Sequence, residues 1–390
     1  TSGKNSGVVH TGINVPPGSV KARYNVAGAE NFEEYCADLD VPFDRCGKVI
    51  VALKEEEVSG LQSLMTRGIS MGIQDLEIID RATLKRMEPN IEGVAALNVP
   101  TAAIACPYTL NIALAESSAA AGVVFMLETP VTGIRGEQGA FELTTPSGVV
   151  SSSLIVNSAG LFADKVARMV GVTRWRIWPC RGEYLILDKA KGDLVNSMVY
   201  PVPPKEGAGL GIHITPTTDG NIILGPSADY TSDGDDVRTT AKIRRQLLAE
   251  AFEFMPGFTA RDVITAYSGM RPKLVPSSVG GFGDFVVEEV PEALGVMQLV
   301  GIESPGLTAA PAIAEDVADW ARERIPAGEN PKFVSRWSSV RRTREEELDV
   351  IDELVAEDPG YGEIMCRCEM ITRREIVDSI NNGLNATSLN

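Results

Sequence analysis

The sequence predicts a mixed α/β (α+β) protein, and three patterns support that prediction. Two apolar strands each run through a short glycine turn into a helix, at residues 154–170 and 296–324. Residues 123–156 change to a period of two, which is typical of a small antiparallel meander. Residues 174–290 are strand-like runs separated by proline and glycine, which predicts a second, mostly antiparallel domain with one helix near 240–254.

Before the meander, the sequence predicts a loop at 1–17, a helix at 21–39 and a strand at 45–53. Two further helices are predicted at 55–72 and 107–121. In the predicted helix 55–72, the apolar residues Val58, Leu61, Leu64 and Met65 recur at helical spacing. The last begins with Pro107, at the first turn where proline is tolerated. The strands of the meander are predicted at 123–128, 131–135, 140–145 and 148–156.

Composition sets limits on partners and compartment. The 390 residues suffice for two to three domains, at about 150 residues each. With 36 basic and 53 acidic side chains the net charge is −17, which disfavours nucleic acid and anionic membrane surfaces as general partners. One or two arginines can still bind a small anionic substrate. No apolar run approaches the roughly 18 to 20 residues that span a bilayer. The chain begins at Thr1 rather than Met, so native targeting stays open.

Cysteine and histidine usage excludes several chemistries. Six cysteines in a chain of this length do not suggest a disulfide scaffold, which predicts a reducing, cytosolic compartment. The two histidines, His10 and His213, are too few for a multi-histidine metal site. The hydrolase elbow and the phosphate loop are both absent from the sequence. Two strand-to-helix turns of small residues, at 158–160 and 304–306, are left as candidate sites for a negatively charged ligand.

Four segments carry a family resemblance: Thr1–His10, Asn157–Gly160 with Ala163-Asp164, Gly269–Pro272 and Gly301–Glu315. The first is similar to the segment after the dinucleotide fingerprint of the D-amino-acid-oxidase-like flavoproteins. The second and fourth resemble the second and last FAD motifs of that family, and the third resembles its substrate-arginine motif. The resemblance is strongest to the branch of glycerol-3-phosphate dehydrogenases and L-2-hydroxyglutarate oxidases.

The resemblance implies an incomplete FAD-binding Rossmann-like domain with an inserted, mostly antiparallel β-sheet substrate domain. The family's first strand, glycine loop and helix, about 30 residues, would precede Thr1, so this polypeptide is expected to bind FAD poorly. The implied boundaries are 1–40, 95–173 and 291–325 for the FAD domain, 41–94 and 174–290 for the substrate domain, and 326–362 for a polar linker.

The resemblance also assigns residues to roles. Residues from all the FAD motifs would contact the cofactor: Ser2, Asn5, Ser6, Gly7, Val8, Val131, Ser158, Ala159, Gly160, Gly301, Gly306, Leu307 and Thr308. His10 would lie near the flavin as a hydrogen-bond donor or base, or serve as a structural histidine. Arg271 would hold the substrate's anionic group with a planar, bidentate fork. Arg181, Tyr184 and His213 are further substrate-binding candidates, and each has a purely structural alternative.

The implied activity is an FAD-dependent dehydrogenase that oxidises a small anionic secondary alcohol by hydride transfer to flavin N5. Glycerol 3-phosphate is the first candidate substrate and L-2-hydroxyglutarate, a 2-hydroxy acid, is its close rival. An amino-acid or amine dehydrogenase is less favoured. The alternative outside enzymes is a catalytically inactive electron-transfer or binding subunit.

A second resemblance lies at the C-terminal end. Met365-Cys366-Arg367-Cys368-Glu369, followed by Ile371-Thr372 and Glu375-Ile376, is similar to the opening of a bacterioferritin-associated-ferredoxin-type [2Fe–2S] domain, here 363–390. Such a cluster needs four thiolates, so Cys366 and Cys368 would complete it only in a full-length protein. Electrons would then pass to a quinone or a partner subunit, in a cytoplasmic protein that can associate with the inner face of the membrane.

Overall fold

The computed structural model describes residues 2–203, 211–326, 328–382 and 384, which leaves Thr1 outside the described residues. The chain divides into two compact units. The first comprises Thr1–Glu33, Phe43–Pro107 and Thr129–Ala327, and the second comprises Glu34–Pro42, Tyr108–Glu128 and Gly328–Asn390.

Ten α-helices lie in the described part of the chain: Val20–Glu30, Phe32–Asp38, Val58–Ser70, Arg81–Met87, Pro107–Ala120, Ala163–Met169, Ala241–Phe254, Gly306–Arg322, Leu348–Glu357 and Arg373–Asn381. Short 3₁₀ turns accompany them at Glu55–Glu57, Gly160–Phe162, Lys189–Leu194, Pro291–Ala293, Thr343–Glu345 and Pro359–Gly362. Ser19 and Thr240 begin their helices by accepting a hydrogen bond from a backbone N–H one turn ahead. The helices predicted at 55–72, 107–121 and 240–254 are therefore confirmed, whereas 21–39 is two helices separated at Asn31.

One large sheet dominates the first unit. Its strands lie in the order Asp229–Tyr230, Trp178–Leu187, Ile222–Gly225, His213–Pro216, Met198–Pro201, Lys48–Ala52, Ala95–Val99 and Glu77–Asp80, and Val263–Lys273 also pairs with Trp178–Leu187. Every pair is antiparallel except Met198–Pro201 with Lys48–Ala52. The mostly antiparallel sheet predicted for this region is confirmed.

Both faces of the large sheet carry apolar side chains. Helix Ala241–Phe254 contributes Ile243 and Leu247 to a core that includes Leu224 of the sheet. A second core combines Leu61 of helix Val58–Ser70 with Ile50 of the strand that begins at Lys48. Polar side chains within this sheet are therefore removed from water and need partners inside the protein or from a ligand.

A second sheet builds the two strand–turn–helix units. Ile155–Asn157 runs parallel to Val296–Val300, which pairs on its other side with Val286–Glu289. Each of the parallel strands is followed by a turn and a helix, Ala163–Met169 and Gly306–Arg322 respectively. Both predicted units are confirmed, and the carboxyl ends of their strands lie side by side.

Three smaller sheets complete the strands: Val8–Val9, Ala103–Ala105 and Phe43–Asp44; Gly133–Arg135, Phe141–Thr145 and Gly148–Ser152; and Ile364–Cys366 with Ile371–Thr372. The second of these is the predicted meander with one strand fewer. The strand predicted at 123–128 is wrong: these residues are irregular, and Val124 is 82% exposed. An apolar segment forms a strand only where an adjacent strand pairs with it, and no described strand pairs with residues 123–128. The segment predicted as one strand at 148–156 ends at Ser152, and its last residues belong to the parallel sheet.

The second unit contains the C-terminal elements. Helix Arg373–Asn381 begins with a capping box in which Thr372 and Glu375 satisfy each other's backbone N–H groups. Arg374 adds an ion pair with Asp358 at 3.0 Å. Among the described residues, no helix is long and apolar enough to cross a membrane.

Candidate active site

The N-terminal strand is fixed against the start of the long helix Gly306–Arg322. The hydroxyl of Thr308 accepts a hydrogen bond from the His10 backbone N–H at 3.0 Å and donates to the Val8 carbonyl at 3.4 Å. The His10 carbonyl accepts from the Asn25 amide at 2.8 Å. Gly7 has a φ of +70°, and a Cβ there would lie 2.2 Å from the Ala105 carbonyl oxygen, so the chain needs glycine at this turn. These contacts hold His10 beside the turn that precedes the helix.

The two parallel strands are joined at their carboxyl ends. The buried Asn157 amide donates to the Ala163 carbonyl and to the Gln298 side chain, both at 2.8 Å. At the next turn Gly160 has a φ of +56°, and the space on its Cβ side is open. No side chain among the described residues caps the start of helix Gly306–Arg322. An uncapped helix start and an open glycine turn at neighbouring strand ends fit the phosphates and flavin edge of FAD.

The structure brings most of the predicted FAD residues to these two strand ends and to the N-terminal loop. Gly7, Val8, Gly301, Gly306, Leu307 and Thr308 surround the helix start, while Ser158, Ala159 and Gly160 form the neighbouring turn. Asn5 and Ser6 lie in the loop before the strand, Ser2 is exposed, and Val131 precedes the meander. The Asn5 side chain accepts from the Gly7 N–H at 2.7 Å. Their contacts with FAD stay predictions.

A buried ion triad fixes the loop between the parallel strand and the long helix. The Glu303 carboxylate lies 3.2 Å from both the Lys21 and the Lys273 ammonium groups, and all three side chains are at most 2% exposed. Burial lowers the pKa of Lys21, and Glu303 partly offsets that effect. Sequence reasoning missed this triad because its members are far apart in the chain. The substrate-arginine motif gave the nearest signal, since Lys273 follows Arg271 by two residues.

An aromatic row crosses the large sheet. Tyr267 and Tyr184 stack with ring centroids 4.7 Å apart, and His213 and Tyr200 stack at 3.6 Å. The Tyr267 hydroxyl donates to the Asn5 carbonyl at 3.0 Å, which ties the row to the N-terminal loop. Tyr184 and His213, both predicted for substrate binding, therefore lie on one row, and Tyr200 and Tyr267 are members that the sequence did not reveal.

Three buried polar atoms in this region have no hydrogen-bond partner among the described residues: Arg271 Nε, His213 Nε2 and the Tyr200 hydroxyl. One Arg271 amino group donates to the Ser227 carbonyl, which is the one hydrogen bond of this guanidinium among the described residues. Unsatisfied buried polar atoms are costly, and a cluster of them points to a polar ligand that supplies the missing partners.

Arg181 shares with Arg271 a buried Nε that has no hydrogen-bond partner among the described residues, but it differs in having acidic neighbours. Its guanidinium lies 2.9 Å from an Asp236 carboxylate oxygen and 3.5 Å from a Glu183 carboxylate oxygen. These two acidic partners favour the structural alternative for Arg181.

His10 shares a pocket with a lysine that sequence reasoning did not select. The pocket is lined by His10, Gly12, Ile13, Asn14, Val15, Asn25, Lys48, Phe282, Ser304 and Pro305. The His10 ring lies 3.4 Å from the Ser304 hydroxyl. Lys48 is 1% exposed, and its ammonium lies 4.9 Å from the centre of the Tyr200 ring. The pocket thus adjoins one end of the aromatic row.

Burial and nearby positive charge determine the protonation of this region. Desolvation, aided by Lys48, lowers the pKa of His10 to about 3. Desolvation and then His10, Lys48 and Arg271 lower the pKa of His213 well below its ordinary value. Burial lowers the pKa of Lys48 to about 8. At neutral pH both histidines are therefore uncharged, while Lys48 keeps most of its positive charge.

The C-terminal cysteines lie in the second unit. Cys366 ends strand Ile364–Cys366 and is half-buried, and Cys368 is exposed. The described residues contain no group of three or more histidine, cysteine or acidic side chains that could hold a metal ion.

Comparison with known proteins identifies the class of enzyme. The chain is 33% identical to a glycerol 3-phosphate dehydrogenase of Caloramator mitchellensis, over 100% of this chain and 80% of that protein. It is 32% identical to a mitochondrial L-2-hydroxyglutarate dehydrogenase of Nematostella vectensis, over 83% of this chain and 82% of that protein.

A solved structure extends the likeness to the fold. The dithionite-reduced L-α-glycerophosphate oxidase of Mycoplasma pneumoniae with FAD bound superposes with a TM-score of 0.77 and 27% identity, covering 86% of this chain and 88% of that one. The model of the FAD dependent oxidoreductase family (DAO) matches residues 1–320. The strand ends, the helix start and these likenesses agree, and the chain belongs to the DAO family of FAD-dependent oxidoreductases.

Proposed function

We propose that this FAD-dependent oxidoreductase is a dehydrogenase of a small anionic secondary alcohol. The observation that carries the proposal is the set of buried polar atoms without partners at Arg271, His213 and Tyr200. A guanidinium held on one side by Ser227 offers its free edge to a carboxylate or a phosphate. A substrate with an anionic group and a hydroxyl would supply both kinds of missing partner.

Glycerol 3-phosphate is the first candidate substrate. It is supported by the relative named for that substrate, whose likeness extends along the whole chain. L-2-Hydroxyglutarate is the second candidate, supported by the relative from Nematostella vectensis and by the presence of two basic side chains, Arg271 and Lys48, beside the aromatic row.

In this proposal His10 takes the hydroxyl proton. Before substrate binds, burial and Lys48 hold its pKa near 3, so its ring is uncharged at neutral pH and has a free lone pair. A bound anionic substrate would raise that pKa and so make the ring a stronger base. Asn25 and Thr308 fix its backbone, and Ser304 adjoins the ring. FAD, when bound, supplies the chemistry that accepts the two electrons from the carbinol carbon. Tyr184 and His213 would orient the substrate from the sheet.

Anaerobic mixing of the FAD-loaded protein with glycerol 3-phosphate, L-2-hydroxyglutarate and a small amino-acid panel tests the proposal. We expect either glycerol 3-phosphate or L-2-hydroxyglutarate to bleach the flavin absorbance. Bleaching by an amino acid alone would overturn the alcohol assignment. Absence of bleaching by every compound would favour a non-catalytic electron-transfer or binding subunit.

Arg271→Lys and Arg271→Met test the substrate anchor. The first keeps the charge and loses the planar fork, and the second loses both, so we expect KM to rise about tenfold or more in each, and further in Arg271→Met. Arg181→Met is the matched control, because that guanidinium is already engaged by Asp236 and Glu183. An equal KM effect at both positions would contradict a specific role for Arg271.

We further propose that Cys366 and Cys368 supply two of the four thiolates of a [2Fe–2S] cluster, through which electrons leave to a quinone or a partner subunit. Support comes from their solvent access and their spacing on one short strand and its turn. The iron content after anaerobic reconstitution should be about two irons per chain in the wild-type protein and near zero in Cys366→Ser, and the sulfide content should fall in parallel. Equal iron in both proteins would exclude these cysteines as ligands.

We also propose the domain division given by the sequence, with a substrate domain at 41–94 and 174–290. It is supported by the large sheet, whose strands all come from these segments and from Ala95–Val99 at their edge.

A further inference from the structure

Lys48 is a buried cation without an anionic partner. It is 1% exposed and lies at the start of a strand in the middle of the large sheet. Among the described residues, no carboxylate comes within ion-pair distance of it, and burial alone accounts for its lowered pKa. In the described part of the chain two other lysines are fully buried, Lys21 and Lys273, and they share the carboxylate of Glu303. Lysine is almost never buried without such a partner unless it has another role.

The position of Lys48 relates it to the substrate candidates. Its ammonium lies over Tyr200, which stacks on His213, and it lines the pocket that contains His10. In the order of the strands, the strand of His213 lies between the strand of Lys48 and the strand of Arg271, which pairs with Trp178–Leu187. The positive charges of Lys48 and Arg271 both lower the pKa of His213.

The walls of the pocket add unsatisfied polar atoms of their own. The side-chain oxygens of Asn14 and Asn25 are buried there without a hydrogen-bond partner among the described residues. Lys48 lines the same pocket, and the Tyr200 hydroxyl, on the ring beside its ammonium, is also buried without a hydrogen-bond partner among the described residues. A purely structural lysine would have been neutralised by a carboxylate, as in the triad around Glu303.

We propose that Lys48 is a second anion-binding residue of the substrate site, so that the substrate is held by a cation at each of its two ends. The inference rests on the proposed function, in which Arg271 binds the first anionic group. Within the proposed class it favours the second candidate, a hydroxydicarboxylate, over glycerol 3-phosphate, which carries an anionic group at one end only. A substrate with an anionic group at only one end would leave one of the two buried cations without a partner.

Binding of two unreactive probes tests this inference separately from turnover. Glutarate carries two carboxylates and butyrate carries one, on chains of similar size. Their dissociation constants are measured from the perturbation of the flavin spectrum in the FAD-loaded protein. We expect wild-type protein to bind glutarate at least tenfold more tightly than butyrate. In Lys48→Met glutarate binding should weaken at least tenfold, while butyrate binding changes less than twofold.

Two further variants complete the design. Lys48→Arg keeps the charge and should retain the preference for glutarate. Lys242→Met, on an exposed position of helix Ala241–Phe254, should match wild type for both probes. The inference is overturned if wild type shows no preference for glutarate, if Lys48→Met keeps that preference, or if Lys48→Arg loses it as completely as Lys48→Met. Absence of flavin bleaching by every alcohol, with the glutarate pattern intact, would instead overturn the proposed reaction.

Discussion

A single carboxylate, that of Glu303, neutralises two lysines in the loop before the long helix. Replacing it in Glu303→Gln leaves two ammonium groups at most 1% exposed with no anionic partner. Breaking a buried ion pair from one side costs about 3–5 kcal/mol, because the remaining charge is neither solvated nor paired. We therefore expect the free energy of unfolding, measured by urea denaturation, to fall by about that amount.

Asp319→Asn is the control for the Glu303 prediction. Asp319 pairs with Arg322 at 2.5 Å, but both side chains are about 70% exposed. Exposed pairs contribute about 0–1 kcal/mol, so this variant should stay close to wild type. A similar loss in the two variants would show that burial does not determine the energy of the triad.

Lys48 should make stability depend on pH in the alkaline range. Burial lowers its pKa from 10.5 to about 8. Between these values the folded protein has lost the proton and the unfolded chain still holds it, so stability rises with pH. This lowering of the Lys48 pKa corresponds to a gain of about 3 kcal/mol in the free energy of unfolding between pH 8 and 10.5. The groups facing Lys48 are His10, His213 and Tyr200, and the histidines are already neutral in this range.

Lys48→Met isolates that effect. Urea denaturation of both proteins at pH 7.5 and pH 10.5 should show that the stability of the variant relative to wild type falls as pH rises. If the stability of the variant relative to wild type stays constant or rises with pH, then Lys48 does not lose its charge in the folded protein over this range. Because titration of other groups is common to both proteins, the comparison removes it.

Sequence patterns revealed some site residues and concealed others for physical reasons. Arg271 lies two residues after Gly269 in a recognisable motif, so a role in substrate binding could be proposed from the sequence. Lys48 begins the apolar run Lys48–Ala52, and a lysine in that position ordinarily marks the solvated end of a strand. Its burial follows from pairing with strands more than 40 residues away, at Ala95–Val99 and Met198–Pro201, which local patterns do not encode.

At the level of elements, the helix Val20–Glu30 packs so closely against the long helix that one glycine sets their separation. A Cβ on Gly28 would lie 2.0 Å from the Thr308 carbonyl oxygen. Gly28→Ala must push the helices apart and disturb the Thr308 hydroxyl that holds His10. We expect a loss of about 1–3 kcal/mol in the free energy of unfolding, despite the better helix propensity of alanine, together with weaker FAD retention.

Ala27→Leu is the matched control for Gly28→Ala. Ala27 precedes Gly28 on the same helix and is exposed, so a larger side chain there meets solvent. Its effect should stay within about 0.5 kcal/mol. If Gly28→Ala is equally harmless, the two helices do not depend on close contact at this residue.

Periodicity predicted those elements whose partners lie close in the chain. The meander Gly133–Ser152 and the helix Val58–Ser70 are local units, and their patterns were sufficient. The predicted period of two was wrong at 123–128, where five consecutive residues are apolar, and in the structure this segment forms no strand. The split between Ser152 and Ile155 was also hidden, because Ile155 pairs with Val296, which lies far along the sequence.

For the molecule as a whole, the order of the FAD motifs carried more information than any one motif. Each strand–glycine–helix unit alone is common, but two whose strands pair in parallel, separated by an antiparallel sheet, define the family's architecture. The fold class was therefore predictable. The arrangement of the large sheet was not, since its central parallel pair joins strands that are about 150 residues apart in the chain.

The net charge of −17 should make the use of an anionic substrate depend on salt in an unusual direction. At low ionic strength the field of the whole molecule repels an approaching anion, while Arg271 and Lys48 attract it only from within the fold. Raising sodium chloride from about 10 to 150 mM shortens the screening length from about 30 Å to 8 Å, which removes the long-range repulsion and leaves the buried cations less affected. We therefore expect kcat/KM for the anionic substrate to rise, by up to about tenfold, while kcat stays constant. A fall in kcat/KM over the same range would instead mean that the positive charge of the site dominates the field far from the surface.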